Sequence, residues 1–332
     1  MKNITVRYLN NDEYDKWDAF VDESPYGTIF SKSYWLEKVS KEFKILVAEE
    51  NNNIVGGIAL PSMYGKLYRN PKLTPQLGIV LASPDKNQKY CTTLSREMEI
   101  VEELINKFPQ FKQLDYNFNY NYTNFLPFIW NGFDVNINYT YVIEDLTDLD
   151  KVYNDFDYKV KSMIKRGNKN NLKVTDKFGI KEFYEVNKKT FDRQKVQMPY
   201  TLDFLMELDK VLEENGNRKI IFVVDDEERI VAGAYILYDE RCAYYLMGGA
   251  DPEFRNNGAQ TFLIWESIKF AATVSKKFDF EGSMIRDIEK PFRRFGGNQK
   301  IIYNIYKSDK LTEMAYNFAR KNKNIIRKIF KV

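Results

Sequence analysis

The stretch K-I-I-F-V-V-D-D-E-E-R-I-V-A-G-A-Y-I-L, residues 219–237, decides how the whole chain is read. A short apolar run enters an acidic turn and leaves through I-V-A-G into a second apolar run, which reads as a β-hairpin. Residues 44–60, K-I-L-V-A-E-E-N-N-N-I-V-G-G-I-A-L, repeat that pattern in the first half of the chain. The surroundings repeat as well. S-K-S-Y-W-L-E-K-V (31–39) precedes the first hairpin and T-L-D-F-L-M-E-L-D-K-V-L (201–212) the second; each reads as a helix with Ser or Thr at its N-cap. Downstream, residues 92–107 place Leu94, Met98, Val101, Leu104 and Ile105 at helical spacing, followed by a strand Q-L-D-Y-N-F (113–118). The second copy gives a helix over 259–276 and a strand in K-F-D-F-E-G. Matching order over several elements means duplication.

The predicted architecture is therefore α/β, two tandem units with mixed central sheets flanked by helices. The acidic D-L-T-D-L-D stretch from Asp145 offers the division, giving domains 1–146 and 147–332. No Pro/Gly/Ser-rich linker separates them, so close packing with a cleft between the units is expected, and such clefts take ligands.

The chain has 332 residues, and 44% hydrophobic content suffices for a core, yet no window nears the eighteen apolar residues of a membrane span. The start, M-K-N-I-T-V-R-Y-L, reads as a first strand rather than a signal peptide, so a cytoplasmic location is expected. Cys91 and Cys242 lack metal or disulfide spacing and read as small hydrophobes. The absence of histidine excludes Ser-His-Asp triads, Cys-His dyads and H-E-x-x-H zinc sites. Catalysis must use carboxylates, Lys, Tyr, Ser, backbone amides or groups of the substrate. Net charge is only +3, from 50 Lys and Arg against 47 Asp and Glu, which argues against a DNA-binding polycation. Local asymmetries remain. One is the run beyond Lys310, whose helix reads either as solvated or as a peripheral contact with an inner membrane surface. The other is the cluster Lys159, Lys161, Lys165, Arg166 and Lys169, either a solvated face or a seat for a nucleotide-sugar diphosphate or tRNA backbone.

Chemistry concentrates in the second copy. R-C-A-Y-Y-L-M-G-G-A-D (241–251) ends a strand in Gly248 and Gly249, which would let the strand splay and expose amides to a carbonyl oxygen. P-E-F-R-N-N-G-A-Q-T then opens onto a helix, where Arg255, Gly258 and Ala259 would favour an anion. The first copy, S-P-D-K-N-Q-K-Y-C-T-T, has no glycine at that turn. In F-D-F-E-G-S (278–283), Asp279 and Glu281 share one strand face while Phe278 and Phe280 take the other. Two buried carboxylates on one face raise each other's pKa, making a general base for an acceptor amine; the alternative pairs one with Arg293 or Arg294. The first copy has Asp115 at the equivalent place but Asn117 opposite Glu281.

The order hairpin, strand, R-x-x-G-A turn, helix, strand resembles the acyltransferase fold of the GNAT superfamily. The duplicated chain resembles the FemAB group of peptidoglycan-bridge aminoacyltransferases and relatives with a BioF2-like acetyltransferase domain. G-T-I-F-S-K-S-Y-W-L (27–36), N-Y-T-Y-V-I-E-D-L (138–146), K-V-K-S-M-I-K-R-G-N-K-N-N-L-K-V (159–174), F-Y-E-V-N-K-K-T-F-D-R-Q (183–194), the turn at Gly258, and F-D-F-E-G-S with R-R-F-G-G carry it across nearly the whole chain. The resemblance implies an N-acyltransferase acting on an amine of a cell-envelope amino sugar or peptidoglycan precursor, lipid- or nucleotide-linked. No cofactor is tightly bound; the donor is a co-substrate, acyl-CoA or aminoacyl-tRNA. Arg193, Gln194, Tyr245, Ser283 and Arg294 would face substrate, Glu281 or Asp279 would be the base, and the N-terminal domain would serve as scaffold and acceptor side. Gln260 departs from the small residue expected two places after Gly258, which puts CoA in question, and no heptads between residues 150 and 218 supply the coiled-coil insertion of some relatives. The alternatives are a FemX-like aminoacyl-tRNA-dependent enzyme and a non-catalytic degenerate GNAT binding protein.

Overall fold

A computed structural model describes residues 4–254 and 257–314. The chain divides into two compact units, one of residues 1–137 with 303–332 and one of residues 138–302.

In the first unit, β1 (Thr5–Tyr8), β2 (Glu42–Glu50) and β3 (Asn53–Tyr64) form an antiparallel meander. It continues through β4 (Leu67–Arg69), to which β6 (Gln113–Asn117) adds in parallel, while β5 (Ile79–Leu81) pairs with β3. The hairpin expected from residues 44–60 is β2–β3, with Asn51 and Asn52 in left-handed turn conformations that Asn tolerates. Ile45 to Ala48 are all buried because helices cover the sheet: α1 (Tyr14–Glu23), α2 (Ser33–Val39), α3 (Tyr90–Asn106) and the short α4 (Leu126–Trp130). Helix α2 begins two residues later than its expected Ser cap. Asp18 of α1 accepts from both the N–H and the hydroxyl of Ser33 (2.7 Å each) and so caps it from another element.

The second unit repeats this order. β8 (Lys173–Thr175), β9 (Arg218–Val224), β10 (Ile230–Tyr238) and β11 (Cys242–Ala250) are antiparallel, and β12 (Lys277–Asp279) joins β11 in parallel. β7 (Asp134–Ile143) runs into this unit, where Val142 and Ile143 pair with Asp279 and Phe278 of β12. Conversely β13 (Asn298–Ser308) returns to the first unit, where residues 304–308 pair antiparallel with β6. Each unit's outer strand is thus supplied from across the expected division, and the units break within strands rather than in the acidic stretch after Asp145.

Helices α5 (Leu149–Asn154), α6 (Tyr158–Lys169) and α9 (Ala259–Val274) share a core with Ala232, Ala234 and Ile236 of β10. On the alternate residues of β10, Gly233 and Tyr235 meet Phe183 of α7 (Ile180–Gln194), and α8 (Leu202–Glu214) packs beside α7. Thr201 caps α8 through the N–H of Phe204, as its sequence position implies. Short α10 (Arg286–Arg293) follows β12. Most of the basic run beyond Lys310 lies outside the described residues, and no described helix is long and apolar enough to cross a membrane.

Candidate active site

Strands β11 and β12 pair for only three residues, Cys242 to Tyr244 against Lys277 to Asp279. β11 then runs on to Ala250, held by β10 at its other edge, whereas β12 stops. The reason lies in the local chemistry of F-D-F-E-G-S. The N–H of Phe280 donates to the carbonyl of Tyr141 (3.0 Å), so the backbone stays with β7. Asp279 then accepts the N–H of Glu281 (2.9 Å), and Glu281 and Gly282 take left-handed conformations with φ of 57° and 42°. Only glycine fits at 282, since a Cβ there would stand 2.3 Å from the Tyr139 carbonyl oxygen. Glu281 has no such excuse; a glutamate held left-handed stores strain of the kind found at functional sites.

Both carboxyl groups sit at the point where the strands part. Asp279 is wholly buried, with Oδ1 accepting from the Thr140 hydroxyl (2.5 Å) and the Glu281 N–H, while Oδ2 has no partner among the described residues. Glu281 is half-buried as a residue, yet both its carboxyl oxygens are buried and unpartnered among the described residues. Burial lifts the Asp279 pKa to about 6 against the pull of those two hydrogen bonds. Burial pushes Glu281 well above the ordinary carboxylate range, and the neighbouring Asp279 charge adds to it. Neighbouring carboxyls of this kind titrate as a pair that holds a proton into the neutral range. Among the described residues neither carboxyl pairs with an arginine; Arg293 lies 3.6 Å from Glu289, one turn back on its own helix.

The other expected site residues divide into groups. Tyr245 stands on β11 just past the last β12 pair, its ring near Phe278 and Phe292 and its buried hydroxyl without a partner among the described residues. That hydroxyl lies over Gly248, where a Cβ would come within 2.0 Å of it. Gly249 serves packing, since a Cβ there would meet the α7 backbone at Asn187 and Val186 (2.8 Å). Gly258, at φ 89°, presses its bare Cα against the α6 backbone, with 2.4 Å left between a Cβ and the Met163 carbonyl oxygen. The Ala259 N–H is taken by the Asn257 side chain (2.9 Å). Arg255 lies outside the described residues. Arg193 and Gln194 are exposed on the last turn of α7, one turn beyond Thr190, whose hydroxyl accepts the N–H of Ala250 (3.3 Å). Ser283 spends its oxygen on the Ile285 N–H (3.0 Å), and Arg294 caps α10.

Sequence reading missed Thr140, Asn187 and Tyr200. Thr140 sits in the quoted N-Y-T-Y-V-I-E-D-L, but only the β7–β12 register puts its hydroxyl on Asp279. In the first unit the equivalent place is built differently. Asp115 and Asn117 both accept from Asn304 (2.8 and 3.2 Å), where the second unit has carboxyl oxygens without a partner among the described residues. Unpartnered buried atoms among the described residues of the first unit include Nε of Arg69, a residue paired with Asp115 in the β4–β6 register, and the amide nitrogen of Asn70, whose oxygen accepts the Asn117 N–H (2.8 Å), as well as atoms of Thr28, Gln76 and Tyr122.

Residues 154–283 match the family model of the acetyltransferase (GNAT) domain, a span that ends on Ser283, just past the carboxyl pair. No curated protein matches the chain in sequence. Among solved structures, FemX superposes with a TM-score of 0.66 over 91% of this chain and 96% of its own, at 13% identity. L-PGS from Bacillus licheniformis gives 0.53 over 92% and 94%, at 11% identity. A tandem GNAT protein from the clavulanic acid biosynthesis pathway gives 0.51 over 91% and 98%, also at 11%. The double-GNAT fold expected from the repeat therefore holds, with the match to the acetyltransferase (GNAT) domain confined to residues 154–283.

Proposed function

We propose that the protein transfers an acyl group to an amine of a cell-envelope amino sugar or peptidoglycan precursor, with the acyl carbonyl held where β11 parts from β12. The observation that carries this reading is the Glu281 carboxyl, buried and without a partner among the described residues, beside Asp279 at that fork. A buried base with a raised pKa suits an acceptor that arrives as an ammonium and must lose a proton before attack. The ammonium first gives one proton to the carboxyl pair; the amine nitrogen then bonds to the acyl carbon, the donor's thioester or ester bond breaks, and the nitrogen's second proton leaves with the departing thiol or alcohol. Backbone amides of β11 stabilise the charge on the carbonyl oxygen. Tyr245, whose hydroxyl burial keeps protonated, lies at the same fork as a hydrogen-bond donor.

A second reading concerns the donor. The fork suits an extended acyl-bearing arm, but Gly258 is packed on α6 and the Ala259 N–H is already capped, so the α9 turn has fewer amides free for a CoA diphosphate. That geometry, with Gln260 at the next position, favours an aminoacyl ester donor such as aminoacyl-tRNA over acyl-CoA. Calorimetry with acetyl-CoA decides between them: clear binding supports the CoA donor, none the ester. The function itself is tested by transfer from both donor classes to amino-sugar and peptidoglycan-precursor amines. Absence of transfer from every donor sinks it.

A further inference from the structure

Past Tyr244, β11 loses β12 as a neighbour, yet one edge of its backbone does not stay bare. The N–H of Asp251 donates to Val231 of the strand on the β10 side (2.9 Å). By the two-residue alternation of an antiparallel ladder, Gly249 faces β10 as well, and Gly248 and Ala250 turn their N–H and C=O groups to the edge that β12 has left. Side chains of α7 meet that edge. Asn187 donates its amide N–H to the Gly248 carbonyl (3.0 Å), and Thr190 accepts the Ala250 N–H. Asn187 is itself fixed, because the Tyr200 hydroxyl donates to its Oδ1 (2.7 Å). Both residues are nearly solvent-free, 2% and 5% exposed, and the hydroxyl bond dictates which way the amide points. The tight approach of Asn187 is possible because Gly249 has no side chain.

From this chain of bonds we propose that Asn187, oriented by Tyr200, is a positioning residue. It holds the Gly248 peptide so that the Gly248 N–H, on the same edge as the carbonyl that Asn187 binds, faces the acyl group. The role in transfer rests on the function proposed above; the fixing of the backbone does not. An asparagine buried on a helix with both ends of its amide engaged, one on a tyrosine and one on a strand carbonyl, is an expensive way to pack a helix. A leucine would fill that space without needing partners.

The test combines residue-resolved amide hydrogen exchange with transfer kinetics on Tyr200→Phe, which keeps the ring, and Asn187→Leu. Exchange at Gly248 to Ala250 is expected to rise about tenfold in both, with Phe222 and Val223 of β9 unchanged. Turnover is expected to fall about tenfold with the donor KM within about twofold, and the double variant to be no worse than Asn187→Leu, since the two residues act as one unit. Unchanged exchange at 248–250 overturns the proposal, as does a rise shared equally by β9 and β10, which would mean simple loosening. Faster local exchange with undiminished turnover also overturns it. If the parent protein transfers nothing, the functional reading fails on its own while the exchange data still decide whether Asn187 fixes the strand.

Discussion

Glu281 and Asp279 are held in a state that costs stability. Asp279 titrates near 6 when folded and near the ordinary value of 3.8 when unfolded, so below the lower value both states are protonated and nothing is lost. As pH rises through about 4 to 6 the unfolded chain ionises first, and stability falls; above the folded pKa the full penalty remains, about 3 kcal/mol at 1.36 kcal/mol per unit. Replacing Asp279 by Asn keeps an acceptor for Thr140 and the Glu281 N–H and removes the charge. Denaturation curves should show that variant gaining stability over the parent at neutral pH and losing the advantage near pH 4; an equal offset at both would disprove the raised pKa. Gly282 is the neighbouring constraint. Gly282→Ala must find room against the Tyr139 carbonyl at φ 42°, and a loss of about 2 kcal/mol or more in chemical denaturation is expected. Of all this, the sequence displayed the carboxylates, because period-two alternation puts them on one face opposite two phenylalanines. It did not display the left-handed turn, since glutamate has no preference for that conformation and only Gly282 hinted at it.

Strand β11 bounds the site and the opening of helix α9 was expected to, and each reads differently in sequence and in space. The pair Gly248–Gly249 looked like one feature, a strand prepared to splay. Gly248 does lie along the parted edge beneath Tyr245, but Gly249 is there so that α7 can approach, which no local pattern reveals. Gly249→Ala should cost about 1–3 kcal/mol in thermal or chemical unfolding, because its Cβ would meet helix backbone rather than a flexible side chain. A neutral result would mean that α7 can shift, and with it Asn187. The glycine opening α9 was legible as a strand-to-helix turn. Its use was not: Gly258 accommodates α6, an element whose packing depends on residues about ninety positions earlier.

On the scale of the molecule, duplication was readable from two hairpins and their flanking helices because each is a local pattern. The supply of each unit's last strand was not, because β6–β13 and β12–β7 registers join segments far apart in sequence. One consequence is measurable. Ending the chain at Ile302 removes Ile305, wholly buried, and the β6 pairing. Hydrogen exchange should then rise across β6 and β4 of the first unit while β9 and β10 keep their protection; loss confined to the second unit would contradict the observed division. The carboxyl fork is the most exposed to direct trial. Acyl transfer to an amine, followed from about pH 5 to 9 for the parent and Glu281→Gln with donor binding measured alongside, should rise to a plateau with pH in the parent. It should fall about 10²- to 10⁴-fold in the variant while the donor still binds. A variant that keeps the parent's rate and pH profile would contradict the assignment of the base to this pair.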